Sequence, residues 1–210
     1  MTVRRTISRF LAPLARRLRR RSPREDPWGR FDYRVPLSAF GSGNQHDFAW
    51  YFQGESSVPV ASLDEIQDWL IACEYVHDAV LFNEADFWQH PRTFEVLRRG
   101  DCEDHALWAW RKLVELGHDA DLVSGTVLHG SEGSSERGGH VWLLIRQDGE
   151  QFVFEAVAKA KDRMIRPLAT VRDHYRPEFG VDRHKKPYAF NGARLAFLEG
   201  NHRPSVRHTD

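Results

Sequence analysis

The clearest periodicity along the chain lies in "SLDEIQDWLIACEYVHDAV" (62–80), where Ile66, Leu70, Cys73, Val76 or His77, and Val80 recur at helical spacing. Ser62 and Glu65 stand three apart, as in a capping box, so this stretch predicts a helix with Cys73 on its buried stripe. "PRTFEVLRR" (91–99) predicts a short helix with Phe94 and Leu97 inward and Gly100 as its breaker. From Cys102 a stronger pattern (Ala106, Leu107, Ala109, Trp110, Leu113, Val114) predicts a long helix that Gly117 ends. The pattern then changes. "ADLVSGTVLH" (120–129) and "HVWLLIRQ" (140–147) read as strands around the flexible loop "GSEGSSERGG" (130–139). Asp148 and Gly149 are turn residues that fold "QFVFEAV" (151–157) back as a hairpin. "KPYAFNGARLAFL" (186–198) adds a strand or a short helix, and residues 31–60, with the loop "FGSGNQ", yield no secure element. Helices first and antiparallel strands second define an α+β domain, helices packed on a small antiparallel sheet.

Composition sets the boundaries of this picture. The chain has 210 residues, enough for one domain with tails, and seven Trp and thirteen Phe to build its core. The expected division is an N-terminal arm at 1–30, a globular domain at 31–200 and a polar tail at 201–210. Formal net charge is zero, so no overall pull toward nucleic acid exists and no specific nucleic-acid site is evident. The balance hides an asymmetry, because residues 1–24 hold nine arginines and no acid. Ile7, Leu11, Leu14 and Leu18 form one stripe there, with Phe10 beside it. Such an arm is either disordered or an amphipathic helix weakened by Pro13, suited to an anionic membrane surface or an acidic partner. No apolar run approaches a membrane span, and the N-terminus lacks the apolar core of a secretory signal. Two cysteines, Cys73 and Cys102, fit a reducing compartment. The expected location is cytoplasmic, peripheral to a membrane if the arm binds one.

Candidate chemistry gathers at "RRGDCEDHALWAW" (98–110). Cys102 stands at the start of the best helix, where unpaired amides and the positive dipole end favour an anion. A reactive thiolate needs a proton-handling partner from another element. His140, opening a strand after a Gly-rich loop, is the best candidate. Glu155 interrupts the otherwise apolar returning strand and comes near the level of His140, where a carboxylate can orient the imidazole. Other readings compete. Cys102 and His105 make half of a zinc site, but no second pair with ligand spacing appears, and His105 reads as a packed residue. Asp101, Glu103 and Asp104 are either helix-start carboxylates answering the dipole and nearby arginines, or oxygen ligands for calcium. Trp88, Trp108 and Trp110 read as core. Trp142 reads as core or cleft wall.

"DFWQHPRTFEVLRRGDCEDHALWAWRKLVELGHDADLVSG", followed by "GGHVWLLI" and "FVFEAV", resembles the transglutaminase-like superfamily of cysteine enzymes, closest to the bacterial transglutaminase-like cysteine proteinases. The most specific pieces are "WQHP" and "GDCEDHAL" at their interval, and the resemblance spans roughly residues 60–190. It implies a papain-like fold over the 31–200 domain, with Cys102 as nucleophile, His140 as general base then acid, and Glu155 as orienting acid. The family more often carries Asp at the third position. The implied reaction passes through a thioester acyl-enzyme on a protein or peptide substrate. The Cys102 backbone N–H and the Gln89 side chain are candidate oxyanion donors, unless Gln89 ties a loop together. Acyl transfer to water makes a peptidase or amidase, and transfer to an amine makes a crosslinking transglutaminase. The non-enzymatic alternative is an inactive binding domain whose working part is the basic arm. No cofactor is implied beyond the calcium candidates.

Overall fold

The computed structural model describes residues 47–128 and 136–190. The expectations for the arm, the 40–45 loop, most of the Gly-rich loop and the C-terminal tail lie outside these residues.

A 3-10 turn over Phe48–Phe52, N-capped by Asp47, buries Phe48 and Tyr51. Helix α1 (Leu63–Ile71) starts as its sequence demands: Ser62 accepts the Glu65 N–H, while the Glu65 carboxylate takes the Ala61 N–H at 2.8 Å. Its end differs from expectation. The 62–80 periodicity predicts one helix, but α1 stops at Ile71, and Glu74–Tyr75 (β1) pairs in parallel with Arg99–Gly100 (β2). The amides of Glu74 and Val76 donate to the Arg98 and Gly100 carbonyls, which outcompetes continuing the helix. Cys73 is buried as expected, whereas Val80, in the short helix α2 (Asp78–Leu81), is exposed.

Helix α3 (Pro91–Leu97) is capped by the His90 ring, whose Nδ1 accepts the Arg92 N–H. Phe94 points inward, but Leu97 is largely exposed because the helix turns out of register at Arg98, which adopts φ 51°. Gly100 is therefore not the breaker. It is needed for space: a Cβ there would lie 2.2 Å from Asp104 Oδ2 and 2.6 Å from Gln89 Nε2.

Helix α4 (Cys102–Glu115) is the spine of the domain, with Ala106, Leu107, Trp108, Ala109, Trp110 and Leu113 fully buried. It is enclosed nearly all round. Trp110 Nε1 donates to the Ala120 carbonyl and Trp108 Nε1 to Glu95. Even Arg111 and Lys112 are buried: Arg111 binds the carbonyls of Tyr51, Gln53 and Gly54, and Lys112 that of Val58. Gly117, at φ 88°, follows the helix end as expected.

The sheet comprises β3 (Asp119–Leu128), β4 (Arg137–Gln147), β5 (Glu150–Phe154), β6 (Ile165–Pro167), β7 (Tyr175–Val181) and β8 (Pro187–Ala189). Their order is β6-β5-β4-β3-β7-β8, antiparallel throughout. The β4–β5 hairpin turns on Asp148 and Gly149, both at positive φ (53° and 81°), as a two-residue turn requires. Its register sets Leu143 opposite Phe154. Val141, Leu143, Ile145 and Phe154 join the cluster around α4. Val123, Trp142, Leu144 and Val153 join a second cluster with Leu168, Val171 and Tyr175. Leu168 and Val171 come from a short helix, α6 (Leu168–Val171), after a single turn, α5 (Lys161–Met164). The sheet thus buries both faces. No helix among the described residues is long and apolar enough to cross a membrane.

Candidate active site

Cys102 is the first residue of α4, partly exposed, with its backbone N–H among the unsatisfied donors of the first turn. Its Sγ lies 3.2 Å from Glu103 Oε2. From the sheet, His140 stands in β4 opposite Gly125 of β3. Glu155 follows β5 directly, where the register carries it toward His140, and its N–H donates to the Met164 carbonyl. His140 Nε2 is 2.9 Å from both carboxylate oxygens of Glu155, with both side chains nearly buried. Cys102 lies close enough to act on the charge of the same imidazole. Burial alone would pull the His140 pKa down. Cys102 and Glu155 outweigh it and hold the pKa up, at about 10. The Trp142 indole stacks on the imidazole with centroids 6.2 Å apart and is itself buried.

Three side chains that sequence reasoning left out complete the surroundings. Tyr175 donates its O–H to Glu155 Oε2 at 3.0 Å, and Arg166 donates to the Tyr175 oxygen at 3.1 Å. Asp78 accepts the Phe87 N–H and faces the acids around Cys102.

Gln89 does different work from that expected of an oxyanion donor. Its Nε2 donates both to the Arg99 carbonyl (2.9 Å) and to Asp104 Oδ2, and its backbone N–H donates to Asp104 Oδ1 at 2.7 Å. An amide has two N–H bonds, and both are committed. Gln89 ties the "WQHP" loop to the first turn of α4. His90 ties the same loop to the Phe48–Phe52 turn, with Nε2 2.9 Å from the Trp50 carbonyl. His105 is fully buried, its Nδ1 2.7 Å from the Asp101 carbonyl, and burial lowers its pKa to about 4. It packs as a neutral ring.

The acids beside Cys102 are more numerous and deeper than the sequence indicated. Asp101, Cys102 and Glu103 form one close group, Asp78, Asp101 and Asp104 a second, and Asp78, Asp86 and Glu103 a third, ligand atoms within 4.8 Å of one another. The arginines expected to answer them turn away: Arg99 pairs with Glu74 at 2.8 Å, and the Arg98 guanidinium lies over the Trp69 ring. Burial, then the neighbouring negative charges, push Glu103 and Asp104 well above the usual carboxylate range, and burial with the charge of Asp101 raises Asp78 to about 7. Asp78 Oδ1 and Asp101 Oδ1 are buried without a hydrogen-bond partner. Orphaned oxygens in a crowded, desolvated carboxylate cluster fit a hard divalent cation such as calcium.

Residues 55–166 match the family model of the bacterial transglutaminase-like cysteine proteinases, and the chain belongs to that family. It is a transglutaminase-like cysteine peptidase. Curated proteins include no significant match. Among solved structures, Legionella pneumophila LapG is similar: 17% identical, TM-score 0.48, over 74% of this chain and 86% of that one. LapG in its calcium-bound form is 18% identical, with TM-score 0.43, over 77% and 80%.

Proposed function

We propose that the chain hydrolyses amide bonds of a protein or peptide substrate through a Cys102–His140–Glu155 triad. The observation that carries this reading is the His140 ring, gripped at Nε2 by both oxygens of Glu155, with Glu155 and Cys102 both acting to favour its protonated form. With the thiol proton already held on His140, Sγ attacks the substrate carbonyl carbon. The developing oxyanion accepts from the Cys102 backbone N–H, already aimed outward at the helix start. His140 then protonates the leaving amine, the C–N bond breaks, and a thioester remains on Cys102. Water attacks the thioester while His140 takes its proton, and the acid product leaves with the thiol restored. Glu155 holds the ring in one orientation through its contact with Nε2.

Asp78, Asp101 and Glu103 would hold a calcium ion. Its positive charge would stabilise their ionised forms and relieve the repulsion that Glu103 exerts on a Cys102 thiolate 3.2 Å away. The test is proteome-wide cleavage and crosslink profiling of wild type against Cys102→Ala, with calcium present. Cleavage products absent from Cys102→Ala are expected, and equal cleavage by both proteins would refute the reading. Amine crosslinks in place of new termini would assign acyl transfer instead.

A further inference from the structure

The Glu155 side chain has three rotatable bonds, so a lone hydrogen bond to His140 would leave its carboxylate free to turn. We infer that Tyr175 is the residue that removes this freedom, a positioning residue acting on His140 through Glu155 with Arg166 behind it. This rests on the triad reading above.

Three observations place it. Tyr175 O–H reaches Glu155 Oε2 at 3.0 Å, the same oxygen that sits 2.9 Å from His140 Nε2. With Oε1 also at 2.9 Å from Nε2, the His140 N–H is shared by both oxygens, and Tyr175 adds a second donor to the carboxylate. Arg166, on β6, donates to the phenol oxygen at 3.1 Å, which keeps the O–H hydrogen directed at Glu155. The Tyr175 ring is itself fixed: it is buried, and packs against Trp142 with centroids 5.1 Å apart. Trp142 in turn stacks on His140.

The backbone is built to allow this approach. Tyr175 belongs to β7, paired with Val127 of β3, and the β3–β7 register shifts between Ser124 and Gly125. Gly125 lies between His140 and Pro177, and a Cβ on it would meet the Arg176 carbonyl oxygen at 2.1 Å. A side chain there would push β7 away, so the glycine serves the close approach. Burial and the Glu155 charge raise the Tyr175 pKa, so the phenol remains a donor at every working pH.

The test measures second-order alkylation of Cys102 by iodoacetamide at pH 7, and the low-field proton resonance of the His140–Glu155 hydrogen bond. Tyr175→Phe keeps the ring and its packing and deletes only the donor. Slowing of about five- to twenty-fold is expected, part of what one hydrogen bond to a charged group contributes, because Tyr175 acts through Glu155. The low-field resonance should move or broaden, with Tm nearly unchanged. Arg166→Met should act in the same direction and more weakly. In an Glu155→Gln background, Tyr175→Phe should change alkylation less than two-fold, because the group it positions has gone. Wild-type alkylation and an unmoved resonance in Tyr175→Phe would overturn the inference, as would an undiminished effect in the Glu155→Gln background. Wild-type alkylation in His140→Ala would instead sink the triad reading itself, so the two failures are distinguishable.

Discussion

Replacing Glu155 by Gln keeps the shape of the side chain and removes its charge. The perturbation falls on one ring nitrogen, His140 Nε2, which loses an anionic acceptor whose two oxygens both stood at 2.9 Å. Both side chains are nearly buried, so solvent does not replace what is lost. A hydrogen bond to a charged group contributes about 1.5–3 kcal/mol, and breaking a buried pair costs about 3–5 kcal/mol. The Gln carbonyl still accepts one hydrogen bond, which places the loss at about 2–3 kcal/mol. At about 1.4 kcal/mol per factor of ten, kcat/KM and Cys102 alkylation at pH 7 fall by about 30- to 150-fold. A pH effect accompanies this. His140 in the wild type has its pKa raised to about 10, against about 6.5 for an unfolded histidine. Stability from the imidazolium is therefore fully present below about pH 6.5 and is lost as pH rises through about 10. In Glu155→Gln a principal raising cause is gone while burial still opposes the charge, so stability changes less across that window. Alkylation followed by intact mass at several pH values, with buried Cys73 as internal control, measures the first effect, and thermal melts measure the second. Alkylation within about three-fold of wild type, together with an unchanged slope of Tm against pH, would refute the reasoning.

Other outcomes follow from the same geometry. Calcium at about a hundred times its Kd should stabilise the domain by about 2.7 kcal/mol, or about 5–10 °C in Tm, and chelation should reverse this. Asp78→Asn should abolish most of the calcium response, and a response as large as wild type would remove Asp78 from the site. Gly100→Ala inserts a methyl 2.2 Å from Asp104 Oδ2, so Gln89 and Asp104 must part. A loss of about 2–3 kcal/mol is expected, seen as a Tm lower by about 4–12 °C with slower Cys102 alkylation, and a Tm within 1 °C of wild type would contradict it.

Much of the site was legible in the sequence because its signals are local. A cysteine at the start of an amphipathic helix, a histidine opening a strand and an acid interrupting an apolar one each mark a position without reference to distant residues. The Asp148–Gly149 turn then fixes the hairpin register, and with it the approach of Glu155 to His140. The residues left open or unseen are those whose partners lie outside the local stretch of chain. Gln89 stood open between an oxyanion donor and a loop tie, and only its contacts with Arg99 and Asp104 commit both of its hydrogens. Tyr175 carries no local mark, and its importance rests on a reach from β7 to Glu155 past a side-chain-free Gly125.

The sequence by itself determined the α+β class, the start and end of α4, the β4–β5 hairpin and the positions of Cys102, His140 and Glu155. Each depends on helix caps, turn residues or periodicity, which act within a few residues. Tertiary structure alone decided that α1 yields at Ile71 to a strand pairing with residues 99–100. It also decided that Arg111 and Lys112 are buried under carbonyls from residues 51–58. The acids around Cys102 likewise became a crowded buried cluster only when Asp78 and Asp86 arrived from another part of the chain. Periodicity records which face of an element is apolar, but not which distant backbone competes for its hydrogen bonds or which charges meet there once water is excluded.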